Sequence, residues 1–271
     1  MDIARATALS KALARAGFLG LGGFHPLPED GVPGCSTTSR DPDAHSASAP
    51  GHRSGMKQSP LASPLPQGEG QGEGVKPDNP PARTLLLIGS AGPALFRLFE
   101  KSPEAADGAP DPLDRYTARV LGQIAGDFGF GAAFPFEGPP WHPFQQWAMK
   151  AGGFSPSPMG VLAHETYGPW AGFRAAFLSP EVFGTFELNG KPGPCETCDD
   201  KPCLSACPAG ALSAETGYDV PRCRGYLTRN PQADCFSGCL ARRACPFGRD
   251  FIQTPQQANF HMTAFLTGIA G

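Results

Sequence analysis

Apolar residues recur at three- to four-residue spacing in two stretches of the chain. Residues 3–16 carry one such stripe and are followed by Gly17, and residues 112–125 carry another that begins behind Asp111 and Pro112. This spacing is typical of amphipathic helices, which often end before a glycine and begin at Asp or Pro. The pattern therefore predicts a helix over each range.

Short apolar runs bounded by turn residues predict strands. The clearest run covers residues 84–88 and reads Thr-Leu-Leu-Leu-Ile before a glycine and a serine. Other strands are predicted at 18–26, 130–136, 159–164 and 173–178, and shorter helices at 93–100, 143–151 and 256–266. Because strands and helices alternate, we expect an α/β layered arrangement.

The stretch from residue 31 to residue 81 interrupts this pattern. It contains no Phe, Trp or Tyr and is rich in Ser, Pro, Gly and Glu. Such a composition cannot bury enough apolar surface to offset the entropy of ordering the chain. We therefore predict a disordered insertion, and we assign no role to Cys35, His45 or His52.

Eight of the nine cysteines lie between residues 195 and 245. Thiolates are soft ligands that suit iron–sulfur clusters, zinc or copper(I). The order is that of a two-cluster ferredoxin, in which three close cysteines are followed by a fourth that precedes proline and ligates the other cluster. It predicts one [4Fe–4S] cluster on Cys195, Cys198, Cys203 and Cys245, and a second on Cys207, Cys223, Cys235 and Cys239.

The cysteine spacing departs from the compact bacterial pattern. Four residues separate Cys198 from Cys203, and eleven separate Cys223 from Cys235. Disulfide frameworks belong to short secreted chains, and zinc sites usually bring two CxxC pairs where this chain has one. Two Cys-Pro dipeptides favour iron–sulfur clusters, and zinc remains the alternative.

Length and charge narrow the class of protein. The 271 residues allow one large domain or two modest ones, and the net charge of −3 indicates neither nucleic acid nor an anionic membrane as a partner. We find no apolar run of membrane-spanning length and no secretory apolar region at the start. Together with eight thiolate ligands, this leads us to expect a cytoplasmic protein.

Several motifs resemble a known family. The segments 207–211, Cys-Pro-Ala-Gly-Ala, and 223–227, Cys-Arg-Gly-Tyr-Leu, resemble the ferredoxin module of epoxyqueuosine reductases and related corrinoid iron–sulfur reductases. The segments 146–152 and 160–170 resemble the same enzymes, and still more the cblC-type vitamin B12 processing proteins. Those proteins share a strand that ends in His, then Gly-x-Trp, then Arg. Here these are His164, Gly168, Trp170 and Arg174.

The resemblance covers most of the chain outside residues 31–81. It implies an α+β protein, in which a nitroreductase-like layered domain over 1–185 holds a corrinoid and a small two-[4Fe–4S] ferredoxin-like domain with a C-terminal helix covers 186–271. It further implies that a redox partner supplies low-potential electrons, which pass through the clusters to cobalamin in reductive corrinoid chemistry or cobalamin processing, with a corrinoid or a thiol as substrate.

One departure concerns a proton donor. Epoxyqueuosine reductases carry an acid a few residues before the tryptophan-containing helix, and an ungapped match puts Gly138 there, with Glu137 beside it. Glu137 is therefore the candidate general acid, against a surface carboxylate as the ordinary interpretation. The departure disfavours tRNA epoxyqueuosine reduction. A ferredoxin-like electron carrier without catalytic activity of its own is the main alternative to an oxidoreductase.

The other candidate residues also have ordinary interpretations. His164 either contacts a ligand or closes an apolar strand in the core, and Trp170 either lies beside the macrocycle or fills the core. Arg174 stands in an apolar run and needs either an ion-pair partner such as Glu165 or an anionic ligand. Six arginines around the cysteines either offset cluster charge or dock an acidic electron donor. They are Arg222, Arg224, Arg229, Arg242, Arg243 and Arg249.

Overall fold

The computed structural model describes residues 2–35, 81–186 and 190–268 of the chain and mixes helices with strands. The helices are α1 (Ile3–Arg15), α2 (Ala94–Phe99), α3 (Pro103–Ala106), α4 (Pro112–Asp127), α5 (Phe144–Ala151), α6 (Pro202–Ser205), α7 (Val220–Arg229), α8 (Leu240–Ala244) and α9 (Pro255–Thr267). The strands are β1 (Leu19–Phe24), β2 (Thr84–Ser90), β3 (Gly131–Ala133), β4 (Phe154–Pro156), β5 (Leu162–His164), β6 (Gly172–Ser179), β7 (Leu212–Ser213) and β8 (Gly217–Tyr218).

A four-stranded sheet in the order β1-β2-β6-β3 organises residues 2–35 and 81–186, which we call the layered domain. Every pairing in this sheet is antiparallel, and Leu87 of β2 lies opposite Ala176 of β6. Side chains alternate between the faces of a strand, so β2 sends Leu85 and Leu87 to one face and Ile88 to the other. Both central strands are therefore buried on both sides.

Helices cover both faces of the sheet. On one face α1, α2 and α4 pack a core that includes Leu13, Leu121 and Phe177. On the other face α5 contributes Trp147 and Ala148 to a second core. The helix α1 begins where the carboxylate of its cap Asp2 accepts a hydrogen bond from the Arg5 backbone N–H at 2.7 Å.

Two strands are shorter than the sequence predicts. The run 130–136 forms a strand only at 131–133, because the chain then turns and the Phe134 N–H donates to the Glu137 carboxylate at 2.8 Å. The run 159–164 forms a strand only from Leu162, because a turn precedes it in which the Ser157 hydroxyl donates to the Val161 carbonyl at 2.7 Å. In both places local hydrogen bonds outweigh the preference of these residues for an extended backbone.

The predicted insertion is described only at its ends. Residues 36–80, with His45 and His52, lie outside the described residues. Residues 31–35, which the sequence assigned to the insertion, belong to the fold, since Val32 is buried in the second core together with Ala82. Among the described helices, none is long and apolar enough to cross a membrane.

Residues 190–251, which we call the cysteine module, combine α6, α7 and α8 with the β7–β8 hairpin. The module rests on the layered domain through the β4–β5 hairpin. Pro192 bridges Phe154 in parallel, and the Cys195 N–H donates to the Ser155 hydroxyl at 2.9 Å. The helix α9 then packs back on the layered domain, where Phe260 contacts Phe96.

Two glycines bring the backbones of the two parts together. Gly168 of the layered domain and Gly248 of the module both have positive φ, 54° and 70°. A methyl group on Gly168 would overlap the Phe247 carbonyl, and one on Gly248 would overlap the Tyr167 carbonyl. This glycine seam therefore allows an approach that no other residue type permits.

Candidate functional site

Four cysteines of the module form a first set. Cys195 lies in the short turn Pro194–Glu196, Cys198 follows it, Cys203 lies in α6 and Cys245 follows α8. Burial raises the pKa of the Cys203 thiol, and Cys245, Cys195 and Cys198 raise it further. Since thiols influence one another in this way only at short range, these four groups lie near one another.

The remaining four cysteines form a second set. Cys207 follows α6, Cys223 lies in α7, Cys235 lies in a short turn and Cys239 caps α8. Burial raises the pKa of Cys235, and Cys239, Cys223 and Cys207 raise it further. Wherever a thiol pKa in the module is shifted, the contributing cysteines belong to its own set. The structure thus brings the four members of each set near one another, and these are the two sets that the sequence order distinguishes.

Hydrogen-bond donors lie near several of the sulfur atoms. The Tyr218 hydroxyl lowers the pKa of Cys223 and so opposes the rise that burial causes. Backbone N–H groups of Leu240 and Phe247 act in the same way on Cys235 and Cys245. Donors of this kind favour the thiolate, which is the form that binds metal.

The chemistry of the thiols bears on which metal group they could hold. Within the described ranges, no three His, Cys, Asp or Glu side chains converge as ligands of a single metal ion must. A mononuclear zinc site needs four ligands around one centre, and a [4Fe–4S] cluster takes four thiolates, one on each iron atom. Each set supplies four thiols, which is the donor set that a [4Fe–4S] cluster requires.

A cavity of about 330 Å³ adjoins the second set. Three of its thiols, Cys207, Cys223 and Cys239, line the cavity, and Met159 and Val161 reach into it from the layered domain. Arg242 and His261 also line this cavity. The second set therefore faces the layered domain and α9 rather than only the module.

A cleft continues from there between the layered domain and α9. Its inner part is a cavity of about 240 Å³ lined by Trp170, Arg174, Arg242 and His261. Its outer part, of about 750 Å³, is lined by the start of α4 and by α9, and Arg174 and His261 line it too. His261 borders all three cavities, so the three lie next to one another around this residue.

Arg174 projects from β6 into this cleft. Its Nε donates to the Ser90 hydroxyl at 3.1 Å. Burial lowers its pKa, and the Asp114 carboxylate opposes that change. The ion pairs among the described residues do not include Arg174, so Glu165 is not its partner. A half-buried guanidinium that keeps unused donors in a cavity is suited to an anionic ligand.

His261 lies near two guanidinium groups. Burial first, and then the positive charges of Arg174 and Arg242, lower the pKa of its imidazole to about 4. The ring is therefore neutral near pH 7, with one nitrogen able to donate and the other able to accept. It packs against the Phe260 ring, with ring centres 5.4 Å apart.

The other candidates lie in different surroundings. Trp170 is 5% exposed and lines the inner cavity. His164 is 3% exposed and lines none of the three cavities; its Nδ1 accepts from the Thr166 N–H at 3.1 Å, and burial lowers its pKa to about 4. Glu137 also lies outside these cavities, 3.8 Å from His142. The structure thus brings Trp170 and Arg174 together and leaves His164 and Glu137 apart from them.

The arginines around the cysteines differ from one another. Arg242 is half-buried between two cavities, and Arg224 donates to the Leu266 carbonyl of α9 at 2.8 Å. The remaining four are exposed: Arg222, Arg229, Arg243 and Arg249.

Comparison with protein-family models found no match, and comparison with curated proteins found none. Among solved structures, the C. elegans B12-trafficking protein CblC, a human MMACHC homologue, is 13% identical with a TM-score of 0.47, and the match covers 100% of each chain. Epoxyqueuosine reductase from Streptococcus thermophilus is 15% identical with a TM-score of 0.40, over 64% of this chain and 51% of that one. The chain thus spans about half the length of that reductase. Because both TM-scores lie below 0.5, these likenesses decide neither fold nor function.

Sequence reasoning missed three residues of the cleft. Asp114 lies in the first turn of α4, and Gln257 and His261 lie four residues apart on α9. The spacing of the last two was visible in the sequence and places them on one helical face. What the sequence lacked was any sign that this face meets Arg174.

Proposed function

We propose that this protein is an iron–sulfur oxidoreductase whose two [4Fe–4S] clusters pass low-potential electrons into the cleft beside α9. One observation carries the proposal. The cavity lined by Cys207, Cys223 and Cys239 shares Arg242 and His261 with the inner cavity of the cleft. An acceptor bound in the cleft would therefore be a near neighbour of the second set.

The chain's own residues fit the requirements of such clusters. The first set, with Cys203 and Cys245, would hold one cluster, and the second set the other. Bound clusters supply one-electron transfer at low potential, which hydrogen bonds to sulfur and nearby charge adjust. The Tyr218 hydroxyl is a donor near Cys223, and Arg242 provides positive charge beside Cys239.

We propose further that the acceptor is a corrinoid held by the layered domain. The sequence motif from His164 to Arg174 supports this, since it resembles cblC-type proteins. Trp170 would pack beside the macrocycle, and Arg174 would hold an anionic group of the ligand. Arg174 lines the outer part of the cleft, at about 750 Å³, and Trp170 lines the inner part beside it. We retain the nitroreductase-like and ferredoxin-like assignment, with bounds 1–185 and 186–271, as part of this proposal.

The test starts with protein purified without oxygen. We expect about eight iron and about eight acid-labile sulfide per chain, because eight cysteines follow the two-cluster order. Stoichiometric zinc without sulfide would overturn the assignment. Electron paramagnetic resonance of added cob(II)alamin then tests the acceptor, and five-coordinate cobalt with its lower ligand displaced is expected. An unchanged spectrum with no binding by calorimetry would leave only the electron-carrier alternative.

The substitution Arg174→Gln distinguishes a role of Arg174 in ligand binding from a role in stability alone. We expect weaker corrinoid or substrate binding at unchanged iron content, because the cysteines lie elsewhere. The matched control is Arg229→Gln, which removes the same charge from the exposed surface of α7. If Arg174 were only structural, its replacement would lower the melting temperature equally with and without ligand and leave the affinity unchanged.

A further inference from the structure

The two cysteine sets are buried to a similar degree. In the first set Cys203 and Cys245 are buried and the other two cysteines are partly exposed, and in the second set Cys235 is buried and the other three are partly exposed. We call the clusters proposed for them the first and the second cluster. Reduction adds one negative charge to a cluster, and burial disfavours that charge. Since burial differs little between the sets, nearby charges decide which cluster is the easier to reduce.

Arg242 brings positive charge to the second set from inside the fold. It lies in α8, one turn beyond Cys239, and lines the same cavity as Cys207, Cys223 and Cys239. It is half-buried, and within the described part of the chain it forms no ion pair with a carboxylate. Burial lowers the pKa of Arg242, and Cys239 and Tyr218 oppose that change. Because a guanidinium stays charged even when it is buried, this charge acts on the second set.

Positive charge near the first set is either offset or exposed. Burial raises the pKa of Cys195, and of the charged side chains that act on it Lys201 opposes the rise and Glu196 adds to it. Burial also raises the pKa of Cys245, and Arg249 opposes that rise, but this arginine is exposed. Water and salt screen an exposed charge far more than a charge in the interior. The first set therefore experiences the weaker positive potential.

The other charges around the second set do not reverse this difference. Arg224 is half-buried, and its positive charge acts in the same direction as that of Arg242. The remaining charged side chains on α7, on α8 and between them, and the cap of α7, are exposed and are screened by solvent. They are Asp219, Arg222, Arg229, Asp234 and Arg243.

We infer that Arg242 makes the second cluster easier to reduce than the first. Its fixed positive charge stabilises the reduced, more negative form of the cluster more than the oxidised form. One electron then leaves the reduced first cluster and reduces the second, so the electron comes to rest beside the cleft. The inference rests on the proposed function for the presence of both clusters, and it adds which of them holds the electron.

A redox titration of the cluster-loaded full chain, followed by electron paramagnetic resonance, tests the inference. Dithionite and mediator dyes reduce the clusters in steps without oxygen. Cys223→Ser alters or removes the signal of the second cluster and so identifies it, and Cys195→Ser identifies the signal of the first in the same way. We expect the signal of the second cluster to appear at the less negative potential. Earlier reduction of the first cluster would overturn the inference.

Substitutions in α8 assign the difference to Arg242. Arg242→Gln removes the charge and should make reduction of the second cluster about tenfold less favourable, which for one electron is a shift of about 59 mV to more negative potential. Arg242→Lys keeps the charge and should restore most of the difference. The matched control is Arg243→Gln, which removes the same charge from the neighbouring exposed position and should move neither potential. Equal shifts in Arg242→Gln and Arg243→Gln, or no shift in Arg242→Gln, would contradict the role of Arg242.

Iron and sulfide analysis of the same samples separates this inference from the proposed function. A chain that lacks about eight iron and about eight sulfide contradicts the proposed function, and the inference fails with it. A chain that holds both clusters, at equal potentials that Arg242→Gln leaves unchanged, contradicts the inference alone.

Discussion

The layered domain and the cysteine module are stabilised in different ways. In the layered domain two apolar cores lie on opposite faces of the sheet, and Leu85, Leu87 and Phe177 are fully buried. The core at the module has three buried members, of which Met159 belongs to the layered domain and Cys203 is itself a cysteine of the first set. So small a core cannot hold a domain together by apolar burial alone. We therefore expect the stability of the module to depend on the metal groups proposed for its cysteines.

The largest expected effect comes from removing one cysteine of the module. Cys203→Ser should lower the iron and sulfide by about four each, because a hydroxyl is a far poorer ligand than a thiolate. Hydrogen exchange should then show lost protection across residues 190–251 while β2 and β6 stay protected. Cys35→Ser is the control, since Cys35 belongs to neither set, and it should leave the metal content unchanged. Equal protection in both variants would show that the module stands without its ligands.

The contact between the two regions gives the next largest effect. Gly168→Ala forces a methyl group against the Phe247 carbonyl. We therefore expect the free energy of unfolding to fall by about 1–3 kcal/mol from overpacking, and further by about 1–2 kcal/mol from the left-handed backbone. Gly129→Ala is the matched control, because Gly129 also has positive φ, 67°, but meets nothing within 4 Å. Gly129→Ala should lower the free energy of unfolding only by the contribution of the left-handed backbone. Free energies of unfolding in urea compare the two, and equal losses would mean that the glycine seam is not close-packed.

The smallest expected effect is a loss of stability in acid, through His164 on the layered-domain side of the glycine seam. His164 has a pKa of about 4 in the fold against about 6.5 unfolded, so the unfolded chain binds more protons between these values. Its contribution is therefore lost as the pH falls from 6.5 towards 4, by at most about 1.4 kcal/mol per pH unit. His164→Phe should reduce the slope of unfolding free energy against pH by about one proton. His261 titrates in the same range and should keep part of the slope. An unchanged slope in the variant would exclude His164 as its source.

The same contrast explains what could be predicted from the sequence. Strands β2 and β6 and helices α1, α4 and α5 follow long local patterns, and their predicted ranges agree with the structure to within about two residues. Helix α9 was also predicted, yet its partners Phe96 and Phe99 lie far earlier in the chain, and no local pattern pairs them. Gln257 and His261 escaped notice for that reason. Trp170 and Arg174 do lie in the cleft, but the resemblance, not their spacing, marked them out.

The glycine seam limits how this protein can be altered. Where two side chains are in contact, a larger residue at one position can be accommodated by a smaller residue at the other, so the two positions can change together. At Gly168 and Gly248 the obstacle is in each case a carbonyl oxygen of the opposite backbone, which every amino acid carries. No second substitution can therefore make room for a side chain there. An engineer who wishes to exchange the cysteine module for another would have to keep both glycines, or rebuild the two loops that contain them.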